Sequence, residues 1–307
     1  KEYRRQRQMC IRDSSQNDGT LMTLDNARRY PILTIACGPT NSIRGASYLT
    51  CRDDAIVIDV GGTTSDFGVL SHGFPRESGV AVDIGGVRTN FRMPDVISIG
   101  LGGGSIVREH DDGTVTVGPD SVGYQITEKA LCFGGDVVTA TDIADRLGKA
   151  NVGDPSLTAS ISQEVADKAY AAMREMVEDA IDSMKISSDP IDAILVGGGA
   201  VLLPHDLAGT KSVACPEFAG CANAIGSAIS KVSGMFEKLV DYEETGREEA
   251  LEHARREAIA AAVRAGADEA TVEIIDSEDV PLAYYPGKTS RIRIKAAGDL
   301  RMAQTEK

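Results

Sequence analysis

The stretch AIVIDVGGTTSDFGVL, residues 55–70, constrains the fold of this chain more than any other stretch. Two strand-like apolar runs flank a turn of glycines and hydroxyl residues, with Asp59 before the turn and Asp66 after it. Glycines at a strand end permit close approach of another backbone and backbone angles that other residues avoid. The pattern predicts a buried β-hairpin whose turn holds a ligand, or, as the simpler alternative, a tight turn that the threonines only stabilise.

The turn at residues 61–64 has the groups that bind phosphate. It consists of Gly61, Gly62, Thr63 and Thr64. Several backbone N–H groups at one turn can hold an anion without a basic side chain. Asp59 suits Mg²⁺, which proteins usually hold through one or two carboxylates and phosphate oxygens, and Asp66 can orient a nucleophile or a water. We therefore take Asp59 and Asp66 as candidate catalytic residues for phosphoryl transfer, with Asp59 as the candidate metal ligand.

The charge of the chain narrows the choice of ligand. Acidic residues outnumber basic ones, 46 to 32, and the formal net charge is −14. Nucleic acids and anionic membranes require a basic protein face, so we expect neither as the main partner. An anionic ligand must be held by backbone amides or a metal ion, because the overall charge of the protein repels it.

The cysteines indicate the compartment. The chain has six cysteines without a Cys-x-x-Cys pair, and only four histidines, so a zinc site and a disulfide framework are not expected. This usage favours a reduced, cytoplasmic protein. No run reaches the ~18 apolar residues of a membrane span, and no apolar signal segment is found.

Two further glycine-rich stretches are candidate ligand sites. The segment ILVGGGAVLLP, residues 194–204, predicts a buried strand, a turn and a helix start, where glycines let a planar ring lie against the backbone. A tight strand-to-helix connection is the alternative. The segment GLGGGS, residues 100–105, is expected either to line the cleft near substrate or phosphate or to be a structural loop. The candidate residues are Gly197, Gly198 and Gly199 in the first segment and Gly102, Gly103, Gly104 and Ser105 in the second.

The remaining pattern predicts alternating strands and helices. Apolar runs at 55–60, 66–71 and 79–84, separated by short turns, predict an antiparallel meander. Residues 162–185 carry apolar side chains at helical spacing. We also predict a strand at ILTIA (32–36), a helix from Asn41, a small-residue helix at 218–236, and an Ala-rich helix ended by Gly266 with strands after it.

The hairpin at 59–63 and the later turn from Gly198 to Pro204 resemble two motifs of the actin, sugar-kinase and heat-shock chaperone ATPase superfamily. There, a D-x-G-G-T hairpin holds phosphates and a G-G-x-x-x-x-P turn holds adenosine. The resemblance implies an α/β fold: a ribonuclease-H-like lobe over residues 15–240, with a small C-terminal α+β module over residues 241–307. Basic residues 1–14 have no apolar period, and we interpret them as a non-native or disordered tail joined to a chain that begins within a longer gene.

Within that superfamily the chain resembles one branch more closely, the A-type subunits of the hydantoinase/oxoprolinase family. The segments that carry the likeness are SQNDGTLMTLDNARRYPILTIACGP, VIDVGGTTSDFGVL, SIGLGGGSIV, TATDIADRLG and AILVGGGAVLLP. Family members often have Asp-Ile-His before the glycine-rich segment, where this chain has Asp95, Val96 and Ile97. The family's N-terminal lobe has no counterpart in the chain. We therefore expect half of a nucleotide cleft, inactive alone.

The resemblance implies a hydrolase subunit that uses ATP and Mg²⁺ to open a cyclic amide of the hydantoin or 5-oxoproline type. Phosphorylation of the carbonyl oxygen would create the leaving group, and the partner would be a B-type hydantoinase subunit. Some relatives are subunits of ATP-dependent ketone carboxylases, which is one alternative. A regulatory or chaperone-like nucleotide-binding module and a small-molecule kinase of the same superfamily are the others.

Overall fold

A computed structural model gives the structure of most of the chain, in two compact units. It describes residues 13–78, 82–84, 86–89, 92–283, 285 and 287–301. One unit is Gly38–Ala228, here called the central unit; the other combines Lys1–Cys37 with Ile229–Lys307 and is called the terminal unit. Most of the predicted tail, residues 1–12, lies outside the described residues. Residues 13 and 14, also assigned to that tail, instead belong to a β-strand.

The secondary structure alternates between strands and helices. The strands are β1 Asp13–Ser15, β2 Leu21–Thr23, β3 Ala55–Val60, β4 Ser65–Ser71, β5 Phe74–Pro75, β6 Val82–Ile84, β7 Val87–Thr89, β8 Val96–Ile99, β9 Ser105–Glu109, β10 Val115–Ser121, β11 Ile191–Val196, β12 Thr210–Ala214, β13 Val232–Asp241, β14 Glu273–Pro281 and β15 Thr289–Gly298. The helices are α1 Leu24–Arg29, α2 Cys37–Thr50, α3 Ile126–Lys129, α4 Ala140–Arg146, α5 Pro155–Thr158, α6 Gln163–Met184, α7 Ala222–Ala228, α8 Tyr242–Thr245 and α9 Arg247–Ala265.

The central unit is organised by a six-stranded mixed sheet. Its order is β12-β11-β3-β4-β5, and β8 also pairs with β4. Strands β12, β11 and β3 run parallel, whereas β4 is antiparallel to β3, β5 and β8. Parallel neighbours end at the same edge of a sheet, so the turns after β3 and β11 are brought together.

Helices cover both faces of this sheet. Side chains of β3 alternate, with Ile56 and Ile58 in the core that includes α6 and with Val57 in the core that includes α2. Helix α6 begins at the N-cap Ser162, which accepts a hydrogen bond from the amide of Val165, and it buries one apolar stripe. Among the described residues, no helix has both the length and the apolar character needed to cross a bilayer.

The terminal unit is a five-stranded sheet with one long helix against it. The strand order is β1-β2-β13-β15-β14, so segments from both ends of the chain share one sheet. Helix α9 buries alanines at every fourth position against β13 and β15. These are Ala250, Ala254, Ala258 and Ala262. Gly234 permits the close packing, because a Cβ there would lie 2.0 Å from the Ala262 nitrogen.

The structure divides the chain at a different place from the sequence. The boundary expected at residue 240 falls inside β13, which pairs antiparallel with β15 and meets Leu21 of β2. Strand β13 therefore belongs to the terminal unit. The predicted helix at 218–236 is only Ala222–Ala228 for the same reason, since the residues from Val232 onward are drawn into that sheet.

Three other local predictions are corrected. The strand predicted at 32–36 is instead the 3₁₀ turn Pro31–Thr34, where proline fits the first turn of a helix. The helix predicted from Asn41 begins earlier, at Cys37. Residues 79–81 lie outside the described residues, and 82–84 pair with Val87–Thr89 rather than joining the meander. Strands β5 and β8, and not residues 79–84, pair antiparallel with the other side of β4.

Candidate active site

The two predicted glycine turns touch each other at one edge of the central sheet. Strands β3 and β11 pair in register, with Asp59 opposite Val196. Beyond the strand ends, the Gly199 amide donates to the Val60 carbonyl at 2.8 Å. The 61–64 turn and the 197–199 turn, which are far apart in sequence, therefore form one surface of the unit.

The 61–64 turn presents unused amides. The Gly61 amide closes the turn on the Thr64 carbonyl at 2.9 Å, whereas Gly62, Thr63 and Thr64 are exposed. In the described part of the chain, the amides of those three exposed residues donate no hydrogen bond. Three free N–H groups on one short turn are an arrangement that binds anions.

A buried loop, residues 102–105, fixes the direction of these amides. The Gly103 amide donates to the Gly61 carbonyl at 3.0 Å, and the Gly104 amide donates to the Gly62 carbonyl at 2.7 Å. A trans peptide directs its C=O and its N–H to opposite sides. Because both carbonyls point toward the buried loop, the amides of Gly62 and Thr63 point away from it. The 102–105 loop therefore prearranges the turn.

The 102–105 loop, predicted either to line the cleft or to be a structural loop, packs behind the 61–64 turn. All four residues are buried, and their amides are all engaged within the protein. Gly102 and Ser105 bond each other, with the Gly102 amide 2.8 Å from the Ser105 hydroxyl oxygen. A Cβ at Gly102 would lie 2.5 Å from the Thr63 nitrogen, so only glycine fits behind the turn.

Two hydroxyl side chains that the sequence did not single out as site residues hold this loop. The amide and the hydroxyl of Thr141 donate to the Gly103 carbonyl at 3.0 and 2.8 Å. The fully buried Ser65 hydroxyl donates to the Leu101 carbonyl at 2.7 Å. Thr139, with Asp142, forms the capping box of α4, which leaves Thr141 to bind the loop. The sequence signal for these two side chains was the hydroxyl residues in TTS (63–65) and TATD (139–142).

Asp59 and Asp66 lie opposite each other on β3 and β4. Burial raises the pKa of the Asp59 carboxyl, a hydrogen bond with Ser42 lowers it, and the nearby Asp66 charge raises it further, so that the net shift is upward. Asp66 also accepts a hydrogen bond from Ser98 on β8. A cation beside this pair would relieve the unfavourable burial and repulsion of two carboxylates.

The donor set fits Mg²⁺ held jointly with phosphate. Within the described ranges, no group of three or more His, Cys, Asp or Glu side chains is arranged to hold a metal ion. A site built from one or two carboxylates needs phosphate oxygens and waters to complete the coordination shell of Mg²⁺. Asp59 can supply such a carboxylate, because it is the last residue but one of the strand that leads into the 61–64 turn.

The 197–199 turn combines one glycine at positive φ, one open glycine and one buried glycine. Gly197 has φ +86°, and a Cβ there would lie 2.4 Å from Asp59 Oδ1. Gly198 is exposed, and a Cβ there would meet no heavy atom within 4 Å. The predicted helix start after this turn is only the 3₁₀ turn Ala200–Leu202, so no helix dipole acts there. Gly198 thus leaves open space beside the backbone, as a flat ligand requires.

Another cavity in the central unit is lined by different residues. It has a volume of about 300 Å³ and lies near Val107, Leu131 and the start of α6 at Val165. Its walls are mainly apolar and include none of the predicted site residues. The candidate site therefore rests on the two glycine turns and not on this cavity.

Comparison with known proteins finds a family match over the first half of the described chain. Residues 13–159 match the model of the hydantoinase/oxoprolinase family, which confirms the resemblance found in the sequence. The gamma subunit of acetophenone carboxylase from Aromatoleum aromaticum is 30% identical over 118 residues, covering 37% of this chain and 16% of that protein. Caprolactamase subunit alpha from Pseudomonas jessenii is 25% identical over 210 residues, covering 59% of this chain and 30% of that protein.

Two solved structures share the fold. A nucleotide-free structure of acetone carboxylase has a TM-score of 0.64 at 18% identity, covering 94% of this chain and 52% of that one. The ATP-dependent caprolactamase from Pseudomonas jessenii has a TM-score of 0.67 at 17% identity, covering 94% and 53%. These matches confirm the mixed α/β fold. The chain spans about half the length of these structures.

Proposed function

We proceed from the match of residues 13–159 to the model of the hydantoinase/oxoprolinase family, and we propose that the chain is the ATP-binding part of an enzyme that opens a cyclic amide. The observation that carries this proposal is the contact between the 61–64 turn and the 197–199 turn, where Gly199 bonds Val60. Free amides on one turn and an open glycine on the other suit the two ends of a single nucleotide.

In this proposal the two turns bind different parts of the nucleotide. The amides of Gly62, Thr63 and Thr64 hold the terminal phosphates, and the adenosine lies against Gly198. Asp59 holds Mg²⁺, which would neutralise charge on the transferred phosphoryl group, and Asp66 orients the reacting group or a water. The mixed sheet with helices on both faces supports a ribonuclease-H-like lobe of the actin and sugar-kinase type for the central unit.

The proposed reaction activates an otherwise unreactive ring amide. The carbonyl oxygen attacks the γ-phosphorus of ATP, forming an O–P bond while the bond to ADP breaks. Water then adds to the activated carbon and the ring C–N bond breaks, which leaves an acyl phosphate and a protonated amine. A second water attacks the acyl carbon, and inorganic phosphate leaves with the former carbonyl oxygen, so that a carboxylate remains. The protein must align the γ-phosphate with the substrate oxygen, since positioning and electrostatics supply most of the catalysis.

A second candidate is carboxylation of a ketone. The similarity to the acetophenone carboxylase gamma subunit favours it, and the same phosphoryl transfer would then activate a ketone or its carboxyl donor. The alignment with caprolactamase subunit alpha extends further, over 59% of the chain, and leads us to prefer the cyclic amide.

We also propose a subunit partner and a compartment. Both aligned relatives are subunits by name, which supports a partner here, and a B-type hydantoinase subunit is the one we propose. The cysteines of the described chain are free, which supports the reducing environment of the cytoplasm. These are Cys37, Cys51, Cys132, Cys215 and Cys221.

The test uses the full-length protein with its neighbouring B-type subunit. ATP hydrolysis is measured alone, with hydantoin, 5-oxoproline or caprolactam, and with a ketone plus bicarbonate. We expect a cyclic amide to stimulate hydrolysis and to be opened in equal amount. Stimulation by the ketone alone would favour the carboxylase, a stable phosphorylated product would indicate a kinase, and ATP turnover indifferent to all substrates would indicate a regulatory module.

A further inference from the structure

Phe218 is held in an uncommon backbone conformation and is largely exposed. Its φ is +64° and its ψ is +18°, in the left-handed region that favours glycine, and 64% of the residue is exposed. A bulky residue in that region is strained, and such strain persists where the surrounding structure imposes it, often at ligand sites. An exposed ring gains little from folding, so the stability of the fold does not explain a phenylalanine here.

The position of Phe218 links it to the 197–199 turn. The next residue, Ala219, accepts a hydrogen bond from the Gly197 amide at 3.0 Å. A Cβ on Gly220 would lie 4.0 Å from the Gly198 Cα. The segment that bears Phe218 therefore packs directly beside the open glycine, within the same unit.

The left-handed conformation is fixed by bonds on either side of the ring. The Ala219 amide donates to the Pro216 carbonyl at 3.1 Å, and the Cys221 amide donates to the Phe218 carbonyl at 2.8 Å. Together with the bond from Gly197 to Ala219, these hold the chain so that it begins the 3₁₀ turn Ala219–Cys221. These backbone hydrogen bonds thus hold the residue that carries the exposed ring beside the 197–199 turn.

We propose that Phe218 is a base-binding residue that stacks on the adenine ring of the nucleotide, with Gly198 leaving the space in which the base lies. The proposal deepens the proposed function and rests on it, since it needs adenosine at the 197–199 turn. A purine has two flat faces, and an exposed aromatic ring on a backbone held next to the turn can cover one of them. Stacking of this kind is tolerant of the base, so it supplies affinity more than selectivity among purines.

The test separates the base from the phosphates. Binding of ATP and of inorganic triphosphate to the full-length protein is measured by calorimetry for the parent, Phe218→Ala, Phe218→Gly and Phe218→Tyr. The matched control is Tyr48→Ala, because Tyr48 on α2 is a comparably exposed aromatic, at 62%. Melting temperatures are measured for the same proteins.

We expect Phe218→Ala and Phe218→Gly to weaken ATP binding by roughly five- to 150-fold, the range for loss of one base–aromatic stack. Affinity for inorganic triphosphate should stay within twofold, and Phe218→Tyr and Tyr48→Ala should bind ATP like the parent. Phe218→Gly should melt above Phe218→Ala, because glycine adopts the left-handed conformation without strain. A residue that acted only on stability would not weaken ATP while sparing triphosphate.

Three results would overturn the proposal. If the parent binds ATP and both Phe218→Ala and Phe218→Gly bind it equally well, the stacking role is rejected and the proposed function still stands. Unchanged ATP affinity with lost subunit association assigns the ring to a protein interface. A parent that binds neither ATP nor triphosphate rejects the proposed function as a whole, and the role of Phe218 with it.

Discussion

Asp59 and Asp66 are directly paired across β3 and β4, so two carboxylates end up side by side where the strands meet the 61–64 turn. Burial and the charge of Asp66 both raise the pKa of Asp59, and the bond with Ser42 only partly offsets them. Such a pair costs stability unless a cation or a proton compensates the charge. The arrangement is explained if the site is built for a metal-bound phosphate rather than for the unliganded fold.

The first prediction concerns Asp59→Asn. The neutral amide removes the buried charge, so we expect ATP turnover to be abolished while the melting temperature stays equal to or above that of the parent. Steady-state ATP hydrolysis and thermal unfolding measure the two effects. Asp111→Asn, an exposed acid on the β9–β10 turn, is the matched control and should change neither. Normal turnover in Asp59→Asn would reject the metal role of Asp59.

The second prediction concerns metal removal. If Asp59 and the phosphates share Mg²⁺, ATP should raise the melting temperature more with Mg²⁺ than with EDTA, because a ligand that binds only the folded state stabilises it. The difference should vanish in Asp59→Asn. Thermal unfolding at fixed ATP, with and without EDTA, measures it. An equal Mg²⁺ effect in both proteins would mean that the ion is held elsewhere or by ATP alone.

Local patterns made much of this fold predictable. The hairpin around Asp59, helix α6 and strand β11 each have a periodicity that specifies one type of element over its whole length. The Ala-rich helix α9 is recognisable in the same way, with Gly266 at its end in the left-handed conformation. The structure brings Gly61 and Gly198 to one edge of the sheet, because the neighbouring strands β3 and β11 run parallel and end there.

The features that could not be predicted from the sequence depend on contacts between residues that are far apart in the chain. The 102–105 loop supports the 61–64 turn through backbone bonds from Gly103 and Gly104, and glycine carries no side chain that would reveal such a partner. The start of β13 at Val232 follows a run of small residues that fits helix and strand equally, and only pairing with β15 decides it. The domain boundary was misplaced for the same reason.

The third prediction compares Gly102→Ala with Gly62→Ala. A Cβ at Gly102 would meet the Thr63 nitrogen at 2.5 Å, whereas a Cβ at Gly62 would have no heavy atom within 4 Å. We expect Gly102→Ala to lose about 1–3 kcal/mol of unfolding free energy, as overpacking usually does, and to lose ATP binding as the turn is displaced. Denaturant unfolding and ATP titration measure these effects.

Gly62→Ala is the counterpart that tests the ligand side of the turn. It should leave the unfolding free energy within about 0.5 kcal/mol, as for surface substitutions, yet weaken ATP binding because its methyl group faces the space proposed for phosphate. Equal stability of the two variants would show that the 102–105 loop does not constrain the turn.

The fourth prediction concerns a buried ion pair in the terminal unit. Lys295 Nζ lies 2.5 Å from Asp18 Oδ2, with side-chain exposures of only 8% and 14%. Burial alone would raise the pKa of Asp18, but the Lys295 ammonium and hydrogen bonds from Thr20 outweigh it and leave the pKa lowered. A carboxyl whose pKa is lower in the folded state contributes stability above its unfolded pKa, about 3.9, and loses it as the pH falls through the folded pKa.

Asp18→Asn should therefore be most damaging at neutral pH, by about 3–5 kcal/mol, because it removes the carboxylate that compensates the charge of a buried ammonium. The difference in unfolding free energy between parent and variant should shrink as the pH is lowered through the folded-state pKa of Asp18. Urea unfolding at a series of pH values measures it. A difference that is constant with pH would show that the ion pair contributes nothing through its charge.

The central claim is that one nucleotide bridges the 61–64 turn and the 197–199 turn. A crystal structure of the full-length protein with Mg²⁺ and a non-hydrolysable ATP analogue tests it most directly. The account predicts phosphate oxygens within hydrogen-bond distance of the Gly62, Thr63 and Thr64 amides, with the adenosine against Gly198 and the metal ion at Asp59. A nucleotide bound elsewhere, with those three amides facing only solvent, would contradict it.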